Sequence, residues 1–93
     1  MSDLPPGTQL GGYRIGAVLG RGGMGAVYLA QQLALDRRVA LKVINPEVSD
    51  DAEFRERFSR EAHLAASIDH RQIIPVYDAG EADGRLYLSM RYV

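Results

Sequence analysis

Four glycines within six residues, in the segment LGRGGMGAVYLA (residues 19–30), constrain the fold of this chain more than any other feature. Glycine costs backbone entropy and contributes no side chain to packing, so such a cluster marks a turn or a close approach of the backbone to another group. The residues before the cluster, YRIGAVLG, and those after it, AVYLAQQL, both have strand character. The cluster is therefore predicted to be the tip of a β-hairpin.

After this hairpin the sequence predicts a third strand, a helix and a second hairpin. The third strand is VALKVI (residues 39–44), which is apolar except at Lys42 and is ended by Asn45-Pro46. The helix is predicted over residues 49–68, with Asp50 and Glu53 as a capping box. The second hairpin joins HRQIIPVYDAG to RLYLSMRYV through a turn at EADG, and its proline indicates an edge strand or a bulge.

The order β-β-β-α-β-β predicts an α+β fold with a five-stranded, mainly antiparallel sheet and one helix. The chain has 93 residues, enough for one small domain, which we place at residues 13–93 after a flexible N-terminal tail at residues 1–12. The formal net charge of −1 provides no basic field that would attract nucleic acid. Cysteine is absent, which excludes disulfides and thiolate metal sites, and we expect neither a signal peptide nor a membrane span in these residues.

Gly20, Gly22 and Gly25 spell G-x-G-x-x-G, which is a weak signal on its own. A dinucleotide-binding fingerprint requires a helix directly after it, and a strand is predicted here instead. A Walker A loop ends in Gly-Lys-Ser/Thr, whereas Gly25 is followed by Ala26 and Val27. Two interpretations remain: a hairpin tip without a ligand, and a glycine hairpin that covers phosphates from a sheet, as in protein kinases.

Two charged residues favour the second interpretation. Lys42 lies inside an apolar strand, and a buried unpaired ammonium is costly, so this lysine must be paired, exposed or functional. On a helical wheel Glu61 falls within the apolar stripe that contains Phe54 and Phe58, so we expect it to face the core and pair with Lys42. A purely structural ion pair between helix and sheet would explain both residues as well, and the glycine loop favours a site.

Other polar and aromatic residues of the helix are interpreted structurally. Phe54 and Phe58 are predicted to belong to the core. His63 and His70 have no cysteine or carboxylate companions, so no metal site is predicted. Five charged residues early in the helix are predicted to form a solvated face: Glu53, Arg55, Glu56, Arg57 and Arg60.

With loop, lysine and glutamate in this order, residues 13–93 resemble the small, N-terminal lobe of a eukaryotic-like (Hanks-type) protein kinase. The segments GRGGMGAVY, VALKV, FRERFSREAHLAASIDH and IIPVYDAGE are similar in particular to the bacterial serine/threonine branch. The resemblance implies the protein-kinase N-lobe fold, with the helix as αC. It also implies a parent enzyme that transfers the γ-phosphoryl group of ATP to serine and threonine hydroxyls of proteins.

The resemblance implies a role for each site residue. Lys42 would hold the α- and β-phosphates, and Glu61 would orient Lys42. The loop over the phosphates would comprise Gly20, Arg21, Gly22, Gly23, Met24 and Gly25. The adenine surroundings would comprise Leu19, Val27, Ala40, the gatekeeper Met90, and the hinge residues Arg91 and Val93.

Two departures from the family pattern are visible. Arg91 stands where the family commonly has an acidic residue, which a backbone contact tolerates. The chain has HRQI where the family often has His-Pro-Asn-Ile, and this affects the turn before the fourth strand rather than the nucleotide site.

The catalytic loop H-R-D-x-x-x-x-N and the D-F-G motif do not occur within the 93 residues, so we expect this chain alone to be inactive. The ligands of Mg²⁺ are expected in the large, C-terminal lobe (C-lobe). The implied partners are ATP, protein substrates, the C-lobe of the same kinase and a second copy bound through the N-lobe. A cytoplasmic location is implied, and a membrane anchor in a later segment is left open.

Two other function classes are considered. One is a non-catalytic, kinase-like lobe that acts as an interaction or dimerisation module. The other is a pseudokinase, which the intact glycine loop together with Lys42 and Glu61 disfavours.

Overall fold

Six strands form one antiparallel sheet in the computed structural model, which describes residues 4–67 and 76–92. The strands are β1 (Gln9–Leu10), β2 (Tyr13–Gly22), β3 (Gly25–Gln32), β4 (Arg37–Ile44), β5 (Val76–Ala82) and β6 (Arg85–Arg91). Their order across the sheet is β1-β2-β3-β4-β6-β5. The helices are α1 (Pro46–Ser49) and α2 (Ala52–Ser67). The predicted α+β class is confirmed, with six strands in place of five and a short additional helix.

The additional strand β1 lies in the segment predicted to be a flexible tail. Leu10 pairs with Tyr13 and is only 1% exposed. The Gly7 amide donates to the Ile15 carbonyl at 2.7 Å, and the Leu4 amide donates to the Tyr28 hydroxyl at 2.9 Å. The prediction of a flexible tail is wrong for residues 4–12, because two leucines among prolines and glycines show no periodicity, and Leu10 gains its core position from strands distant in sequence.

The main core lies on one face of the sheet. It consists of Leu10, Tyr13, Ile15, Tyr28, Ala30, Val39, Leu41 and Val43. Because successive side chains of a strand point to opposite faces, Val39, Leu41 and Val43 of β4 fill this core while Ala40 and Lys42 point away from it. Lys42 therefore belongs to a core strand but not to the core face.

The sheet curls until strands that are not neighbours in its order meet. The Tyr13 hydroxyl on β2 donates to Asp78 Oδ2 on β5 at 3.2 Å, and the Tyr13 and Tyr87 rings meet edge-to-face at 5.4 Å between centroids. Burial is the main cause that raises the pKa of both phenols, and the Asp78 carboxylate raises each pKa further. This contact closes the curl around the core.

The ends of α2 and of the second hairpin differ from prediction by one or two residues. Asp51, not Asp50, caps α2, since its Oδ1 accepts the Phe54 amide at 3.1 Å. The hairpin turn is confined to Asp83 and Gly84, both with positive φ, while Glu81 still belongs to β5. The predicted strand residues 70–75, including Pro75, lie outside the described residues.

The short helix α1 is absent from the predicted elements. It follows β4 in the chain and contacts the second hairpin. Ser49, its last residue, is fully buried. The Ser49 hydroxyl accepts the Leu86 amide at 3.0 Å and donates to the Ile44 carbonyl at 3.4 Å. This contact places the start of α2 beside the β5–β6 hairpin.

We expect Leu10→Ala to lower the free energy of unfolding by about 2–4 kcal/mol, because truncating a buried leucine leaves a cavity. Leu35→Ala is the matched control, since Leu35 is 61% exposed and its loss is expected to cost under about 0.5 kcal/mol. Urea unfolding followed by circular dichroism measures both. Equal effects of the two substitutions would contradict the placement of β1 in the folded core.

Candidate functional site: a glycine hairpin, Lys42 and Glu61

The glycine hairpin is the β2–β3 connection, and its tip is held to the end of β4. Gly22 pairs with Gly25, which leaves Gly23 and Met24 as the turn. The Asn45 amide donates to the Met24 carbonyl at 2.7 Å. A cavity of about 340 Å³ lies against this hairpin. Its lining consists of residues 20–27 and Lys42.

The loop glycines serve two different physical requirements. A Cβ on Gly25 would overlap the Val43 carbonyl oxygen, so β3 can approach β4 there only without a side chain. A Cβ on Gly20, Gly22 or Gly23 would meet nothing within 4 Å, and none of these three residues has a positive φ. No contact within the protein therefore requires glycine at these three positions. The open space beside them leaves the backbone accessible to a close approach by another group.

Lys42 lies beside the hairpin because of the strand register. It pairs with Val27 of β3 on one side and with Leu88 of β6 on the other. Ala40, two residues earlier on β4, pairs with Met90. Cross-strand partners share a face of the sheet, so the structure brings Val27, Ala40, Lys42 and Met90 onto one partly buried face.

Three other predicted nucleotide contacts are less well placed or not described. Leu19 lies in the irregular stretch of β2 between Val18 and Gly20, and its side chain is 46% exposed. Arg91 is exposed and pairs with Val39, whose side chain belongs to the core face. Val93 lies outside the described residues. The roles of these residues remain predictions.

Glu61 shares a cavity with Lys42 but does not pair with it. The cavity is about 390 Å³ and lies between α2 and the sheet. Its lining is Met24, Lys42, Ile44, Phe54, Arg57, Phe58, Glu61, Ala62 and Leu88. Within residues 4–67 and 76–92 no ion pair or hydrogen bond joins Lys42 to Glu61. The expected pair is thus not formed in this structure.

The core-facing position predicted for Glu61 is wrong. Glu61 is exposed, and Ala62 takes the buried position at 6% exposure. The helix contacts the sheet through Phe58 and Ala62 rather than through the stripe centred on Phe54. This orientation leaves the Glu61 carboxylate exposed, which avoids the cost of burying an uncompensated charge. Phe54 and Phe58 are only partly buried and line the cavity they share with Lys42.

The prediction that all five charged residues form a solvated helix face is wrong for Arg55, whose guanidinium is bound to β5 and α1. Its guanidinium donates to both carboxylate oxygens of Glu81 on β5, at 2.6 and 2.8 Å, and to the Ser49 carbonyl at 3.0 Å. These hydrogen bonds are the main cause that raises the pKa of Arg55 and lowers the pKa of Glu81. Glu81 is 26 positions away, so no local pattern marks the pair. The exposed Arg60–Glu56 pair, at 3.5 Å, does follow the predicted pattern.

Among the described residues, no group of three or more histidine, cysteine, aspartate or glutamate side chains is arranged to hold a metal ion. Neither of the described helices has the length and apolar character of a membrane span.

The fold and the site together define a class of protein. Its features are a curled antiparallel sheet with a glycine hairpin, a lysine on β4 and a glutamate on α2. The chain belongs to the protein kinase domain family, whose sequence profile matches residues 13–93. The match covers the N-terminal region of that domain.

Similar curated proteins are mycobacterial serine/threonine-protein kinases. PknJ of Mycobacterium tuberculosis is 48% identical over 91 residues, which are 98% of this chain and 15% of that protein. PknF of the same species is 49% identical over 90 residues, 97% of this chain and 19% of that protein. The crystal structure of the Mycobacterium tuberculosis PknI kinase domain is also similar, with a TM-score of 0.83 and 43% identity. The alignment covers 97% of this chain and 36% of that chain.

We expect Gly25→Ala to destabilise the fold by about 1–3 kcal/mol, because the new methyl group forces β3 and β4 apart at Val43. Gly22→Ala is the matched control and is expected to change stability by less than about 0.5 kcal/mol, since its methyl group enters open space. Thermal and urea unfolding of both variants check this difference. If Gly22→Ala were the more damaging substitution, the assignment of the two kinds of glycine would be contradicted.

Proposed function

We propose that this chain is the ATP-binding lobe of a serine/threonine protein kinase whose full-length form transfers the γ-phosphoryl group of ATP to protein hydroxyls. One observation carries the proposal: the cavity against the glycine hairpin has Lys42 in its lining. Lys42 is the only lysine in the 93 residues. A compact ammonium beside side-chain-free backbone is an arrangement suited to a phosphate chain. The relatives named above support the serine/threonine class.

The phosphates and the adenine of ATP would contact different parts of the sheet face on which Lys42 lies. The hairpin would cover the phosphates from above, since no side chain occupies the space beside Gly20, Gly22 and Gly23. Lys42 would neutralise charge on the α- and β-phosphates from the sheet. Bound ATP supplies the transferable phosphoryl group, and Mg²⁺ supplies part of the countercharge.

The adenine would lie farther along the same face, away from the hairpin tip. Val27, Ala40 and Met90 present small or apolar side chains there, on adjacent strands in register. Leu19 would close over the ring from β2. Arg91 and Val93 would contribute backbone groups, which hydrogen-bond to an adenine edge whatever their side chains are.

Glu61 would act by orienting Lys42 rather than by touching ATP. Kinase chemistry requires this lysine–glutamate ion pair to be in place. In the present structure both side chains line one cavity without contact. The proposed lobe is therefore in a state that can admit nucleotide but has not assembled its ion pair.

The catalytic base and the Mg²⁺ ligands are proposed to lie outside residues 1–93. The chain spans only 15–19% of the length of the curated relatives named above. Binding and positioning of ATP are the functions proposed for these residues, and transfer is proposed for the whole protein.

We expect Lys42→Ala to reduce phosphoryl transfer by the full-length protein by about 100-fold or more, because a charge that stabilises the transferring phosphates is lost. Arg38→Ala, an exposed position on the same strand, is the matched control and is expected to retain activity. Transfer of radiolabelled γ-phosphoryl to a protein substrate measures both.

Unchanged transfer in the Lys42→Ala protein would contradict the role of Lys42. A wild-type lobe that is folded but binds no ATP would instead favour the interaction or dimerisation module.

A further inference from the structure

Two cavities flank the place where Phe58 and Ala62 of α2 face the sheet. Phe58 and Ala62 are the side chains that line both of the neighbouring cavities. One cavity, of about 280 Å³, opens toward Ala79, Gly80 and Glu81 of β5. The other is the cavity of about 390 Å³ that contains Lys42. A helix supported in this way has room to roll about the Phe58–Ala62 line.

The charged residues of α2 are divided between the two sides of this line. On a helical wheel Arg55 lies on one flank of Phe58 and Ala62, and Glu61 lies on the other. The lining of the two cavities agrees, since Arg55 faces the β5 cavity and Glu61 faces the Lys42 cavity. A roll that brings Glu61 toward Lys42 carries Arg55 away from β5.

On the β5 side the helix is held by a bidentate ion pair. Arg55 donates through both terminal nitrogens to Glu81, and the same guanidinium reaches the Ser49 carbonyl. Ser49 is itself fixed, because it is fully buried and its hydroxyl accepts the Leu86 amide. The Arg55 clasp, meaning Arg55 with Glu81 and the Ser49 carbonyl, therefore ties α2 to both α1 and the second hairpin.

We propose that the Arg55 clasp is a restraint that holds α2 with Glu61 away from Lys42, so that closing the clasp and forming the Lys42–Glu61 pair are alternative states of the helix. The structure has the clasp closed and the Lys42–Glu61 pair open. Arg55 and Glu81 are thus positioning residues, which act on the nucleotide site only through Glu61. The consequence for catalysis rests on the proposed function, but the restraint itself does not.

The single lysine makes the restraint measurable in the 93-residue chain without nucleotide. A carbodiimide joins an amine to a carboxylate only when the two groups meet, with loss of one water, so the Lys42–Glu61 cross-link reports their contact. We expect Glu81→Gln to raise the initial rate of this cross-link about two- to fivefold, the change in population that loss of an exposed ion pair produces. Mass spectrometry of proteolytic peptides identifies and quantifies the linked pair.

Two further proteins separate the restraint from a general effect on the helix. Glu56→Gln breaks the exposed Arg60–Glu56 pair of the same helix and is expected to leave the cross-linking rate unchanged. The exchange Arg55→Glu with Glu81→Arg restores opposite charges between α2 and β5, but not the hydrogen bond to the Ser49 carbonyl. It is therefore expected to lower the rate from the Glu81→Gln value toward the wild-type value. Circular dichroism confirms that each variant is folded.

An unchanged or reduced rate in Glu81→Gln overturns the proposal, and so does an exchange variant that behaves like Glu81→Gln. If the rate rises as expected while the chain fails to bind ATP, the restraint stands and the proposed function fails. If ATP binds and the rate does not change, the proposed function stands and the restraint fails.

Discussion

The alternation of side chains along β4 is the constraint on which the site depends. Val39, Leu41 and Val43 are drawn into the core of the curled sheet, where Val39 and Leu41 have no exposed surface. Their burial leaves Lys42 only one direction, toward α2 and the glycine hairpin. A shift of register by one residue would place a charge in the core, so the same apolar contacts that stabilise the sheet also position its one lysine.

The glycine hairpin is anchored to the end of this strand through two adjacent residues, Met24 of the turn and Gly25 of β3. Gly25 lies so close to the Val43 carbonyl that no side chain fits, and the Met24 carbonyl accepts the Asn45 amide just after β4. By contrast, a side chain at Gly20, Gly22 or Gly23 would enter open space. In the proposed function, this anchored base and open tip would allow the hairpin to approach a ligand without losing its register to β4. Helix α2 is anchored differently, through the Arg55 clasp and the Phe58–Ala62 line, and its Glu61 lines a cavity with Lys42 without contacting it.

Much of this arrangement could be predicted from the sequence, and the failures have physical causes. The strands β2, β3, β4 and β6, the first hairpin and the proximity of Lys42 to the loop follow from local pattern and strand alternation. Strand β1 could not be predicted, because Leu10 is buried by residues distant in sequence. The orientation of α2 does not follow from a helical wheel, because the wheel locates an apolar stripe but not the part of the stripe that contacts the sheet. The Arg55–Glu81 pair joins elements that only the tertiary fold brings together.

A titration of the 93-residue chain with ATP and Mg²⁺, followed by its backbone amide resonances, tests directly whether the glycine hairpin binds phosphates. We expect saturable shifts of the amide resonances of Gly20, Gly22, Gly23 and Lys42, while those of Leu10 and Leu41 in the core stay unchanged. Adenosine monophosphate lacks the β- and γ-phosphates, so it should leave the amide resonances of Gly22 and Gly23 unshifted. Equal shifts of these two amides with both nucleotides, or no saturable shift with ATP in a folded chain, would contradict the reading of this hairpin as a phosphate-binding loop.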